Sequence, residues 1–235
     1  MNSSNMKSPK SSNFLQLTLH SFSSVYLLLA GVCLVRWGEP NPWTRLDMYS
    51  VTYLLLRALS SVHSLGVSRR ALRNRQVRQE WWGASSDPQG ITWVVGLMLA
   101  DLAVFLDYSH WRLVTSLEEA LLQGVGLGLY VGVTLWQMWT DEYLARHFHS
   151  ISPERSPMSR GPYRYIRHPR YSAAIVGKVA FALVFASVLG WLLLLAWATL
   201  LVRKVEVEEA HLKRLFGSPY EAYQRRTARL LPGIY

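Results

Sequence analysis

Long apolar runs alternate with polar, basic ones along almost the whole chain, and their lengths set the first expectation. Between Phe14 and Val35 there is no Lys, Arg, Asp or Glu, and a helix of that length crosses a hydrocarbon layer of about 30 Å at about 1.5 Å per residue. The runs Leu46 to Val67, Ile91 to about His110 and about Ala120 to Trp139 read as three further spans. Residues 172 to 202 form a fifth stretch, too long for one comfortable span and short of the roughly forty residues that suit two. It is expected to be a tight hairpin of two short helices turning near Gly190. The pattern therefore predicts an all-α, polytopic membrane protein of about six transmembrane helices. A polar tail covers 1–13, a four-helix transmembrane region 14–140, and a loop, the hairpin and a cytoplasmic C-terminal helix 141–235.

Charge sharpens this picture. The formal net charge is +10, which in a soluble protein would suggest nucleic acid. Here the cations lie between the apolar runs, so the acidic partner is a membrane face and no nucleic acid is expected. With the N-terminus inside, the cytoplasmic segments carry 2, 5, 6 and 7 Lys plus Arg, against 2 and 1 in the outer loops. That distribution obeys the positive-inside rule with both termini cytoplasmic. The lone Cys33 excludes an intrachain disulfide and any multi-cysteine metal site. Val32 between Gly31 and Cys33 spoils a lipoprotein cleavage box, so the first run is read as a retained span. Inside the runs, Arg57 and Asp101 fall at similar depth and are expected to pair, because a lone charge there is costly. Gly124, Gly126, Gly128 and Gly132 in the fourth run permit close helix approach.

Two segments carry candidate chemistry. The first is Gly161 to Tyr171, where Arg164, Arg167 and Arg170 interleave with Tyr163, Tyr165, His168 and two prolines. Pro169 suits the first position of a helix entered from His168, and first-turn N–H groups together with the arginines form a ready anion site. Positive-inside charge and an aromatic belt would produce the same composition with no site at all. The second is Arg203 to Glu209, which continues to Leu212, Phe216 and Gly217. Gly217 should stop that helix, and Ser218 to Glu221 resembles a capping box opening another. Arg225, Arg226 and Arg229 with Leu230 and Leu231 then read as an interfacial, amphipathic end. Lys204 with Glu208 and Glu209 with Lys213 are i, i+4 pairs of the kind that decorate a solvated helix face. If the hairpin folds back, however, this acidic segment returns to the depth of the basic loop. His147, His149 and His168 do not amount to a metal site.

Together the two segments resemble the isoprenylcysteine carboxyl methyltransferase and phospholipid N-methyltransferase superfamily of integral membrane enzymes. The pattern of that superfamily reads here as Arg167-His168-Pro169-Arg170-Tyr171, then Glu208-Glu209, Leu212, Phe216-Gly217, Tyr220, Tyr223 and Pro232. The resemblance covers residues 160 to 235 and implies S-adenosylmethionine held on the cytoplasmic side. It implies a cofactor pocket of Tyr163, Tyr165, Arg167, His168, Pro169, Tyr171, Glu208 and Glu209, with Arg167 near the cofactor carboxylate. Catalytic roles would fall to Arg203, Lys204 and Glu208. Ala173 stands where relatives often carry Gly, and Lys204 where they carry Arg, with Arg203 adjacent but about 100° round the helix.

The implied acceptor is lipid-like or hydrophobic: the carboxylate of a prenylated cysteine, or a similar O, N or S nucleophile. Membrane lipids would be partners, and residues 14–140 would shape the acceptor side. Two other readings share the fold. One is a sterol-type NADPH reductase, echoed by Pro232 to Tyr235, and the other is a non-catalytic membrane scaffold holding anionic lipid.

Overall fold

The computed structural model describes residues 47–72, 88–108, 119–147 and 159–233. The polar tail, the expected first span, the turn that follows it and most of the five-Arg loop lie outside the described residues. The described chain is helical: α1 (Met48–Leu72), α2 (Pro88–Leu106), α3 (Glu119–His147), a 3₁₀ turn (Gly161–Arg164), α4 (Pro169–Val184), α5 (Val188–Phe216) and α6 (Ser218–Gln224). It contains no strand among the described residues, only an isolated parallel bridge between Ile166 and Ala228. Two helices, α3 and α5, each of 29 residues, are long and apolar enough to cross a membrane.

Helix ends are closed by side chains that also reach neighbouring helices. Asp47 caps α1 by accepting the Ser50 N–H at 2.7 Å. Its other oxygen accepts from the Tyr108 hydroxyl at 3.2 Å and from Gln123, tying α1 to the end of α2 and the start of α3. Asp107 does the same for α5. It accepts from the Ser187 hydroxyl at 2.5 Å and the Leu189 N–H at 3.3 Å, while Ser187 Oγ accepts the Gly190 N–H at 2.9 Å. Asp107 falls within the run Ile91 to about His110 and is a helix-end acceptor there.

Between these ends the helices meet on aromatic side chains. Tyr53 of α1, Phe105 of α2, Tyr130 of α3 and Phe181 of α4 belong to one buried cluster with Phe185. Tyr53 and Tyr130 have ring centroids 4.3 Å apart, and Phe105 lies edge-on to Phe185 at 4.9 Å. The closest helix pair is α3 on α4, and Gly126 explains why. A Cβ there would fall 2.8 Å from Leu183 Cβ, 2.9 Å from the Val184 nitrogen and 3.0 Å from the Ala180 oxygen. The other glycines of this stripe meet no such backbone, and Gly128 and Gly132 face open space.

Three expectations need correction. The chain turns between α4 and α5 at Phe185 to Ser187, with Ala186 at φ 42°, and not at Gly190. Gly190 instead sits buried in the first turn of α5, where a Cβ would approach Ala182 to 3.2 Å and Val104 to 3.3 Å, so its smallness serves packing. Asp101 takes Lys178 of α4 as its ion-pair partner, while Arg57 hydrogen-bonds Tyr130. Lys178, a single cation inside an apolar run, satisfies the carboxylate that Arg57 was expected to meet. Finally, Gly217 at φ 60° is both the stop of α5 and the N-cap of α6, with no side-chain cap, so Ser218 forms no capping box. Glu221 is drawn instead to Lys213 at 2.8 Å.

Candidate active site

The start of α4 is fixed from three sides. His168 is the N-cap and Pro169 the first helical residue, as their sequence demands. The Trp136 indole N–H of α3 donates to the Pro169 carbonyl at 3.2 Å, and Arg170 pairs with the buried Asp141 of α3 at 3.1 Å. Just ahead, Gly161 takes φ 60° against the face of Tyr143, where a Cβ would lie 2.5 Å from the ring, so only glycine fits.

The C-terminal segment straps over this loop. Arg167 N–H donates to the Ala228 carbonyl at 2.8 Å, His168 N–H to that of Arg229 at 3.2 Å, and Ala228 N–H back to that of Tyr165 at 3.2 Å. Ser172 Oγ donates to the Leu230 carbonyl at 2.6 Å, and the Tyr223 hydroxyl to the Tyr163 carbonyl at 2.6 Å. The amphipathic end inferred from the sequence thus packs into the site, a role that composition did not disclose.

Across the turn, α5 brings its acidic pair to the same place. The two glutamates have different partners. Glu209 is buried and accepts from Arg167 Nε at 2.8 Å, meets His168 Nε2 at 3.3 Å and pairs with Arg229 Nε at 3.0 Å. Burial would push its carboxyl up, but the hydrogen bonds from His168 and Arg167 and the Arg167 charge outweigh that and lower it to about 2. Glu208 is half-buried and accepts from the Tyr171 hydroxyl at 2.9 Å, its one hydrogen bond among the described residues. The solvated-face reading of these residues is therefore not realised for Glu209, which turns inward while Lys213 pairs with Glu221.

The remaining expected site residues divide by exposure. Lys204 is half-buried with its ammonium 6.0 Å from the centre of the Tyr171 ring, whereas Arg203 is exposed. Tyr171 and His168 are buried and stacked, with ring centres 5.7 Å apart. Tyr163 borders Tyr143, and burial, opposed by the Arg170 charge, pushes its phenol up, so it is a neutral donor. Tyr165 is 56% exposed and joins through its backbone. Arg167, expected as an open cation, is engaged by Glu209 and by the carbonyls of Gln224 and Thr227. Its guanidinium acts as a strut between the loop, α5 and the strap. No group of metal-ligating side chains occurs among the described residues.

Residues 120–219 match the family described as phospholipid methyltransferase. The chain is 28% identical over 198 residues to methanethiol S-methyltransferase 1 of Bradyrhizobium diazoefficiens, covering 76% of this chain and 65% of the relative. It is 25% identical over 148 residues to the protein-S-isoprenylcysteine O-methyltransferase of Dictyostelium discoideum, covering 58% of this chain and 61% of that one. The chain spans under two thirds of the length of these curated relatives. No solved structure matches it significantly.

Proposed function

We propose that this protein is an integral membrane methyltransferase that uses S-adenosylmethionine to methylate a lipid-like or hydrophobic acceptor. The observation that carries the reading is the meeting of His168 and Tyr171 with Glu208 and Glu209, segments some forty residues apart brought together within a region that matches a methyltransferase family. In this reading α4 and α5 form a hairpin in the bilayer, two of about six crossings, with the site and both termini on the cytoplasmic side.

The residues present suit this cofactor. S-adenosylmethionine supplies an activated methyl group on a positively charged sulfur. The stacked faces of His168 and Tyr171 and the carboxylate of Glu208 form the negative surface such a cation prefers. The half-buried Lys204 ammonium can hold a carboxylate. Because Arg167 is taken up by Glu209 and two carbonyls, that task falls to Lys204 and the first turn of α4.

Methyl transfer is an in-line displacement that needs no metal, so the protein's work is to align the nucleophile and exclude water. Glu209, lowered to about 2 and tied to Arg167, His168, Arg229 and Gln224, is a poor proton acceptor. Tyr163, Tyr220 and Tyr223 have phenols raised by burial and keep their protons. Glu208 would take a proton from a thiol, phenol or amine acceptor. The relatives' names span a thiol and a prenylcysteine carboxylate, and the acceptor proposed here lies in that hydrophobic range.

Purified protein should bind methyl-labelled S-adenosylmethionine saturably, and label should pass to an organic-soluble product on incubation with a membrane lipid extract. Tyr171→Ala together with Glu208→Gln should abolish binding while the protein remains folded. Binding of NADPH without S-adenosylmethionine would favour the reductase reading, and binding of neither would favour the scaffold.

A further inference from the structure

A second polar cluster lies in the helix interiors, away from the site just described. It draws one residue or more from each of α1 to α4: Arg57 and Tyr53, Asp101, Tyr130, and Lys178 beside Phe181. Lys178 is paired with Asp101, and Arg57 is hydrogen-bonded to the Tyr130 hydroxyl, whose ring packs on Tyr53. Arg57 and Lys178 thus share the neighbourhood of one carboxylate, and Lys178 holds the ion pair with it. The Arg57 Nε is sealed from solvent and has no hydrogen-bond partner among the described residues. Asp107, the next carboxylate along α2, is committed to Ser187 and the Leu189 N–H and does not answer that charge. A guanidinium with its Nε left unpaired inside a membrane helix bundle is costly unless an acceptor completes it.

The position of the cluster says what that anion belongs to. Lys178 is seven residues from Tyr171 on α4, two helical turns along the same face, or about 10 Å. Between them Ile175 packs against the buried cluster of Tyr171, Leu201, Val205 and Leu230, an apolar stretch. We infer that Arg57 and Lys178 form an anion-binding subsite for the acidic group of an elongated, otherwise apolar molecule lying along α4 toward Tyr171. That this molecule is the methyl acceptor rests on the methyltransferase reading; the binding itself does not. On that reading the acceptor has two polar ends, one at the methylated atom and one about 10 Å deeper.

The test is equilibrium binding of labelled decanoate and of decanol to the full chain in a non-ionic detergent, with S-adenosylmethionine binding measured alongside. Wild type should prefer decanoate by about tenfold, the worth of one charge-assisted hydrogen bond in a dry site. Arg57→Gln should bring the ratio to near one, and Arg57→Lys should retain it. Asp101→Asn, which removes the competing carboxylate, should raise decanoate affinity, and this keeps the test decisive if Arg57→Gln does not fold. A wild-type ratio near one, or an unchanged ratio in Arg57→Gln, overturns the proposal. Decanoate preference without S-adenosylmethionine binding would uphold the subsite while overturning the methyltransferase reading.

Discussion

The two adjacent glutamates show how one residue step on a helix separates tasks. Glu208 has a single hydroxyl partner and stays open to a ligand, while Glu209 is enclosed by Arg167, His168 and Arg229. Tyr171→Phe removes the hydroxyl that aims Glu208 but keeps the stacked ring. It should weaken S-adenosylmethionine binding by about tenfold with little change in melting temperature, as titration and a thermal melt can show. Glu209→Gln should instead act on the fold, costing about 3 kcal/mol because it leaves Arg167 buried without its counter-charge. The pH dependence follows from the sign of the shift. A carboxyl lowered to about 2 contributes stability that is complete above its ordinary value near 4.5 and is lost as pH falls from there toward 2. Acid titration of the melting temperature should therefore fall more steeply across that window for wild type than for Glu209→Gln. The sequence put Glu208 and Glu209 together in the cofactor pocket, gave a catalytic role to Glu208 alone and set Arg167 near the cofactor carboxylate. It could not show that Glu209 and Arg167 enclose each other, because their further partners, Arg229 and the Gln224 and Thr227 carbonyls, are set by the chain after α5 and not by local spacing.

At the scale of helices, what was legible is what local chemistry dictates. Pro169 after His168 begins α4, Gly217 ends α5, and the glycines of α3 announce close packing. What was not legible depends on which helix faces which. A glycine stripe does not say which member touches a neighbour, and here only Gly126 meets backbone. Gly126→Ala has no room to relax, since two of its three nearest atoms are main chain, and should cost about 1–3 kcal/mol. Gly128→Ala, in open space, should be neutral or slightly stabilising through helix propensity. Paired thermal melts would separate the two, and equal losses would mean that α3 does not lie on α4 as described. Lys178 was hidden for a related reason. One cation in a 31-residue apolar run leaves the hydropathy pattern intact, yet it takes the ion pair with Asp101 while Arg57 hydrogen-bonds Tyr130.

For the molecule as a whole, the site is closed by a segment that belongs to neither helix of the α4 and α5 pair. Residues 225–231 add backbone bonds to Arg167 and His168, the Leu230 carbonyl for Ser172 and the Arg229 charge for Glu209. The contacts to Arg167, His168 and Ser172 reach back about sixty residues, while Arg229 reaches Glu209 on α5, so the strap sets the loop geometry only when α4 and α5 are together. The helices themselves draw little on it: their aromatic cluster, Gly126 contact and Asp107 cap all lie elsewhere. Removing residues 225–235 should thus leave a folded helical protein that has lost S-adenosylmethionine binding, since His168 and Arg167 would no longer be held. Circular dichroism with a cofactor titration on the shortened chain would check this. Arg229→Ala should give an intermediate loss of about tenfold, because the backbone bonds of the strap persist while one of the charges on Glu209 is gone. Undiminished binding in the shortened chain would mean that α4 and α5 alone organise the pocket and that the strap merely covers it.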